Sequence, residues 1–273
     1  MGNSIAKVYA NTVKRNQKVL YGVWEPGFPV ELGDYGVMKG NIFTQLGNIS
    51  EFDELKDFKI KIRKDDTNDE KTFTSKKGVQ FELGSKAEAT INGIEGNASI
   101  EIKFSKENAV FFNGAKCVFE LIENKYQLGQ ELLKIHNKDK KKWRREFVVV
   151  TDRVLTKRAL ILVSTSSDSS IKLEADAKVP VIDLAKASLG LKINKQKSSI
   201  YKVITEEGIT PLIGLSKIKR PFLFMDKEFK PMIKAYTMEM ENAIADYKYE
   251  LKTKDEELQF SQLTDDLDDV LEL

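Results

Sequence analysis

Residues 146–165 read EFVVVTDRVLTKRALILVST. Two runs of strong strand formers, FVVV and LILV, flank the polar and basic stretch TDRVLTKRA, and any fold of this chain must house both runs. LILV offers apolar side chains to both faces of a strand, which requires cover on both sides in a resting core. The pattern predicts two strands, with TKRA as a polar interruption and STSSDSS as a second one before SIKLEA.

The chain has 273 residues and is 41% hydrophobic, enough for the core of one large or two ordinary domains. Its 44 basic and 42 acidic residues nearly cancel, so total charge selects no partner class. Their distribution does. The first 24 residues carry Lys7, Lys14, Arg15 and Lys18 and no acid, whereas the last 20 carry eight acids against the single base Lys254. A single cysteine, Cys117, excludes an intramolecular disulfide framework and suits a reducing compartment. No run approaches the roughly 18 apolar residues of a membrane-spanning helix, so the expectation is a soluble, cytoplasmic resting state.

Along the chain, residues 4–20 have the spacing of a basic amphipathic helix ending near Gly22, and IFTQLGNISEF reads as a short helix or an aromatic-packed loop. From Phe58 the texture changes to strands. FKIKIR and VQFEL alternate about the turn DDTNDE, and ATINGIEGNASIEIKF reads as a hairpin within the region from Gly84 to Phe104. Ala87, Ala89 and Ile91 line one face before its break, and Ala98, Ile100 and Ile102 line one face after it. VFF, CVFELI and a short helix over NKYQLGQELLKIH follow. A second hairpin region spans Phe147 to Ala175, with Leu160, Leu162, Ile171 and Leu173 on its apolar face. Further strand-like segments run to ITPLIGL. Residues 229–251 have helical spacing, and QFSQLTDDLDDVLEL places Leu263, Leu267, Val270 and Leu271 on one face of a final acidic helix. The expected fold is α+β: a single domain with a central twisted, mainly antiparallel sheet, a basic N-terminal helix and a helical acidic C-terminal segment. The core would be residues 1–220 and the C-terminal segment residues 221–273.

The catalytic inventory is thin. His136 is the only histidine and reads as an exposed or capping residue, while Cys117 sits in an apolar strand pattern as a small buried hydrophobe. Phosphate-binding glycine loops, zinc-protease motifs and paired CxxC ligands do not occur in the sequence. No enzyme activity, metal or cofactor is expected, although a site built from carboxylates alone remains a third option. The loop KDKKKWRR, with Lys141, Lys142, Trp143, Arg144 and Arg145, lacks the interleaved aromatics of a nucleic-acid surface. Contact with an anionic membrane is the stronger expectation for it, and nucleic acid is not an expected partner.

In order, the words SKAEATINGIEGNASIEIKF, YQLGQELLKIH and FVVVTDRVLTKRALILV resemble the pore-forming domain of gasdermins over residues 1–215. That family has a basic N-terminal helix, a twisted sheet, a small-residue hairpin, a short helix, and a VVTE-type strand that continues into a second hairpin. The likeness is greatest to the small bacterial members, which carry a short inhibitory tail. It implies an autoinhibited protein that loses a C-terminal restraint to an activating protease, binds anionic lipid through its bases and self-oligomerises into a β-barrel pore that permeabilises membranes and kills cells in defence. Lys7, Lys14, Arg15 and Lys18 and the basic loop would meet the lipid, the two hairpins would insert, and Leu263, Leu267, Val270 and Leu271 would hold the restraint. Bacterial members often have an acylated cysteine near the N-terminus; this chain has none there, so the likeness does not extend to lipid priming. The alternative from the residues alone is a non-enzymatic module that docks a partner through its acidic C-terminal helix.

Overall fold

The computed structural model describes residues 2–65, 67–75, 77–85, 98–175, 191–205, 208–219 and 259–263. Within them lie two α-helices and fourteen strands, and every strand pairing is antiparallel. The fold is α+β, dominated by a ten-stranded and a four-stranded sheet.

The helix α1 (Gly2–Gln17) stops earlier than the periodicity implies. Lys18 takes a left-handed φ of 51° and its N–H returns to the Lys14 carbonyl at 2.9 Å, which closes the last turn. The chain then enters β1 (Tyr21–Gly22) directly beneath the helix. A Cβ at Gly22 would lie 2.7 Å from the Tyr9 ring, so glycine allows the backbone to approach α1 that closely.

The strands β2 (Asp34–Lys39) and β3 (Ile42–Asn48) follow; the expected helix or loop at IFTQLGN is therefore an edge strand, and a capped 3-10 turn takes over only at Ile49. FKIKIR is a strand only over β4 (Ile62–Lys64), and DDTNDE already joins β5 (Asp69–Thr74) at its end. Next come β6 (Val79–Ser85), β7 (Ala98–Phe104), β8 (Val110–Ile122) and the helix α2 (Lys125–Lys138).

FVVV and LILV are not two strands. They are the ends of one 18-residue strand, β9 (Phe147–Ser164). TDRVLTKRA crosses the sheet without a turn because its polar groups find partners. Asp152 accepts hydrogen bonds from Lys125 Nζ at 2.6 and 2.7 Å, and Thr151 and Ser216 hydroxyls meet at 2.9 Å. Arg153 binds Glu120 at 2.9 Å and Glu31 at 2.5 Å, and Thr156 donates to the Ala115 carbonyl at 2.8 Å. Buried polar groups paired in this way no longer oppose strand continuity.

The remaining strands are β10 (Ser169–Ala175), β11 (Leu191–Lys197), β12 (Ile200–Thr205), β13 (Ile209–Lys219) and β14 (Gln259–Gln262). β9 is the spine of the large sheet. One of its edges pairs with β13 and then β12, and the other with β2 and then β8. At its LILV end, Leu160 and Leu162 face the small sheet, whereas Ile161 and Val163 face α1. Both faces are covered, which explains an apolar run without alternation.

Candidate functional site

The four-stranded sheet has the order β6-β7-β10-β11, so the hairpin regions read from the sequence lie side by side. The arms differ from the expected ones. β7 pairs with β6 rather than with residues 87–91, and Ala87, Ala89 and Ile91 lie outside the described residues. β9 does not pair with β10; the second hairpin is β10 with β11, because the chain leaves the large sheet at residues 165–168 and enters the small one.

The join between the hairpins has a clean register, with Ile102 opposite Ile171 and Ile100 opposite Leu173. These four side chains are at most 1% exposed and pack on Phe111, Leu160, Leu162 and Ile200 of the large sheet. Glu101, Lys103, Ser170 and Lys172 alternate onto the other, more accessible face. Six of the expected hairpin residues thus form one buried cluster, and Ala98 opens β7. Each such aliphatic side chain contributes about 1.5–3 kcal/mol by leaving water. Exposing this face to water would forfeit that contribution.

The strand order carries more. In the large sheet, β5, β8, β9 and β12 are consecutive neighbours. Their chain continuations are β6, β7, β10 and β11, and these are neighbours in the same order in the small sheet. The small sheet is therefore the far end of those four strands folded back over them. Among the described residues, each fold-back contains one of positive φ: Gly78 at 95°, Asn108 at 62°, Asp168 at 54° and Ser198 at 64°. Periodicity could not show this, since it marks strands one at a time and carries no sign of which strand folds back over which.

The basic groups expected at a membrane divide into two sets. Lys7, Arg15 and Lys18 are exposed around α1, but Lys14 is 3% exposed and places its ammonium 3.7 Å from the centre of the Tyr21 ring. Lys14 is thus a core residue, held by a ring face rather than by solvent. Trp143 is likewise fully buried among Tyr35, Phe52 and Phe147, so the aromatic of the basic loop anchors the loop instead of meeting lipid. Lys142 bonds Glu54 at 2.7 Å, a hydrogen bond that pushes its pKa up, and Arg144 pairs with Glu146. Lys141 is exposed, and Arg145 lines an open cavity of about 310 Å3 with Glu146, Lys217, Ile218 and Lys219.

His136 is buried rather than exposed, with Nδ1 2.8 Å from the Trp143 carbonyl oxygen. Cys117 is buried and its thiol is pushed up by that burial. Among the described residues, no group of three or more His, Cys, Asp or Glu side chains is placed to hold a metal, and no helix is long and apolar enough to cross a membrane.

The C-terminal segment departs from expectation. Gln259–Gln262 is a strand on the edge of β13, so the helical face expected to begin at Leu263 does not extend back through QFSQ. Leu263 is buried beside Leu215, while Leu267, Val270, Leu271 and the helix expected over 229–251 lie outside the described residues. Nothing in the residue pattern marks Phe260, which packs against Gly129 of α2, because a four-residue strand leaves too short a period to detect. No model of a known protein family matches the chain, and no match is found among characterised proteins.

Proposed function

We propose that this protein is an autoinhibited pore former of the gasdermin type, in which the folded-back sheet unfolds outward into membrane strands. The shared order of β5-β8-β9-β12 and β6-β7-β10-β11 carries the reading. Because each strand already has its membrane-state neighbours, straightening four turns extends the sheet without exchanging any pairing. The seven-residue strands β7 and β10 are short of the ~9–11 residues that cross a bilayer. Joined to β8 and β9, they exceed that length.

The in-out alternation of β7 and β10 suits the extended state, with Ile100, Ile102, Ile171 and Leu173 on lipid and the polar row on water. Open sheet edges cannot sit in hydrocarbon, so insertion is coupled to closure of a ring of copies. Exposed Lys7, Arg15, Lys18, Lys141 and Arg145 supply attraction to an anionic leaflet, each near the surface contributing on the order of 1 kcal/mol. The C-terminal segment is the restraint, and a protease cutting between Lys219 and Lys254 removes it.

Dye release from anionic liposomes tests this. Intact protein is expected to leave the vesicles sealed, and protein cut between Lys219 and Lys254 is expected to empty them. A cut, folded and silent core would reject pore formation and favour the partner-docking module.

A further inference from the structure

The strand β14 occupies a groove between the edge of β13 and the helix α2. Gln259 to Gln262 pair with Lys219 to Ser216, and the Leu263 N–H donates to the Leu215 carbonyl at 2.7 Å. Phe260 packs over Gly129: a Cβ there would come within 2.5 Å of the Phe260 Cβ and 2.7 Å of its ring. Leu263, 9% exposed, joins the cluster that contains Leu128, Leu132, Ile213 and Leu215. A backbone edge, a notch for an aromatic residue and a pocket for leucine are the parts of a strand-addition site.

Gly129 is the informative residue. Glycine inside a helix weakens it relative to alanine. Here the one atom alanine would add falls where Phe260 sits.

We propose that this groove is a peptide-recognition site whose ligand is the chain's own segment Gln259–Leu263, held as an exchangeable strand rather than a fixed member of the sheet. Residues 220–258 separate that segment from β13, so its occupancy depends on the effective concentration that the covalent connection provides. A cut in the connection removes that advantage and frees the edge. The groove's role as the lock rests on the pore-forming reading, whereas its capacity to bind the segment does not.

The test is fluorescence anisotropy without lipid, using a labelled peptide of residues 255–273 and full-length protein. Phe260→Ala weakens the resident strand, so the peptide is expected to bind this variant at least tenfold more tightly than the wild type, whose groove is filled. Adding Gly129→Ala, which favours the helix but fills the notch, is expected to reverse that gain by tenfold or more. Equal binding to wild type and Phe260→Ala, or binding indifferent to Gly129→Ala, would overturn the proposal. Binding together with no leakage from cut protein would keep the peptide site and remove the pore reading.

Discussion

Lys14 and Arg15 are neighbours in sequence with opposite fates. Arg15 is exposed, and its reversal to glutamate is expected to change stability by less than about 0.5 kcal/mol while weakening the binding of cut protein to anionic liposomes about tenfold. Lys14 lies on the face of Tyr21, where a desolvated cation is worth about 2 kcal/mol or more. Lys14→Glu sets a carboxylate on that ring, so urea unfolding should show a loss of about 2–4 kcal/mol. Unchanged stability would place Lys14 among the surface bases after all. Glu120 gives a pH signature. Burial pushes its carboxyl up, but hydrogen bonds from Arg153 and Lys64 outweigh burial and hold it below the usual 4.5. Its folded value is depressed, so its contribution is full above pH 4.5 and is lost as pH falls through the lower folded value. Glu120→Gln is expected to cost about 2 kcal/mol near neutrality, with the difference from wild type shrinking below pH 4.5 in acid unfolding curves. A pH-independent difference would contradict this.

At the scale of elements, strand content was legible and strand connection was not. The alternation of SIEIKF and SSIYKVIT located β7 and β12, and helical spacing located α1 and α2. TDRVLTKRA read as a break because polarity looks the same whether a residue faces water or a buried partner; only the approach of Lys125, Glu120 and Ser216 makes β9 continuous. The short β14 was hidden within an acidic helical pattern, and with it the contact of Phe260 on Gly129. The fold-back turns yield a prediction of their own. Asn108 and Ser198 hold left-handed φ values of 62° and 64°, a region that costs an L-residue about 1–2 kcal/mol and suits β-branched side chains worst. Asn108→Val and Ser198→Val should destabilise the folded-back state but suit an extended strand. Both variants are expected to lower the thermal midpoint of intact protein and to raise the leakage rate of cut protein. A lower midpoint with slower leakage would contradict the hinge role of these turns.

For the whole molecule, three features come together that residue patterning does not connect. Bases cluster outside, a sheet with one apolar and one polar face is folded against the core, and the C-terminal segment is clipped to a strand edge. Charge and apolar patterning set the acidic face of the tail over the basic helix and its apolar face over strand edges; the described part of the tail packs on the edge of β13 and on α2, through backbone pairing, Phe260 and Leu263. The central claim is that the inner row of the small sheet exchanges protein for lipid. It is tested most directly by the fluorescence of an environment-sensitive NBD dye carried on single-cysteine variants in a Cys117→Ala background, at Ile102 and Ile171 on the inner row and at Lys103 and Lys172 on the outer. On anionic liposomes, after the cut, dye on the inner pair should be quenched by nitroxides on the lipid chains and dye on the outer pair by aqueous iodide. Inner-row dyes that nitroxide-bearing lipids fail to quench while the vesicles leak would show that the pore is built from some other part of the chain.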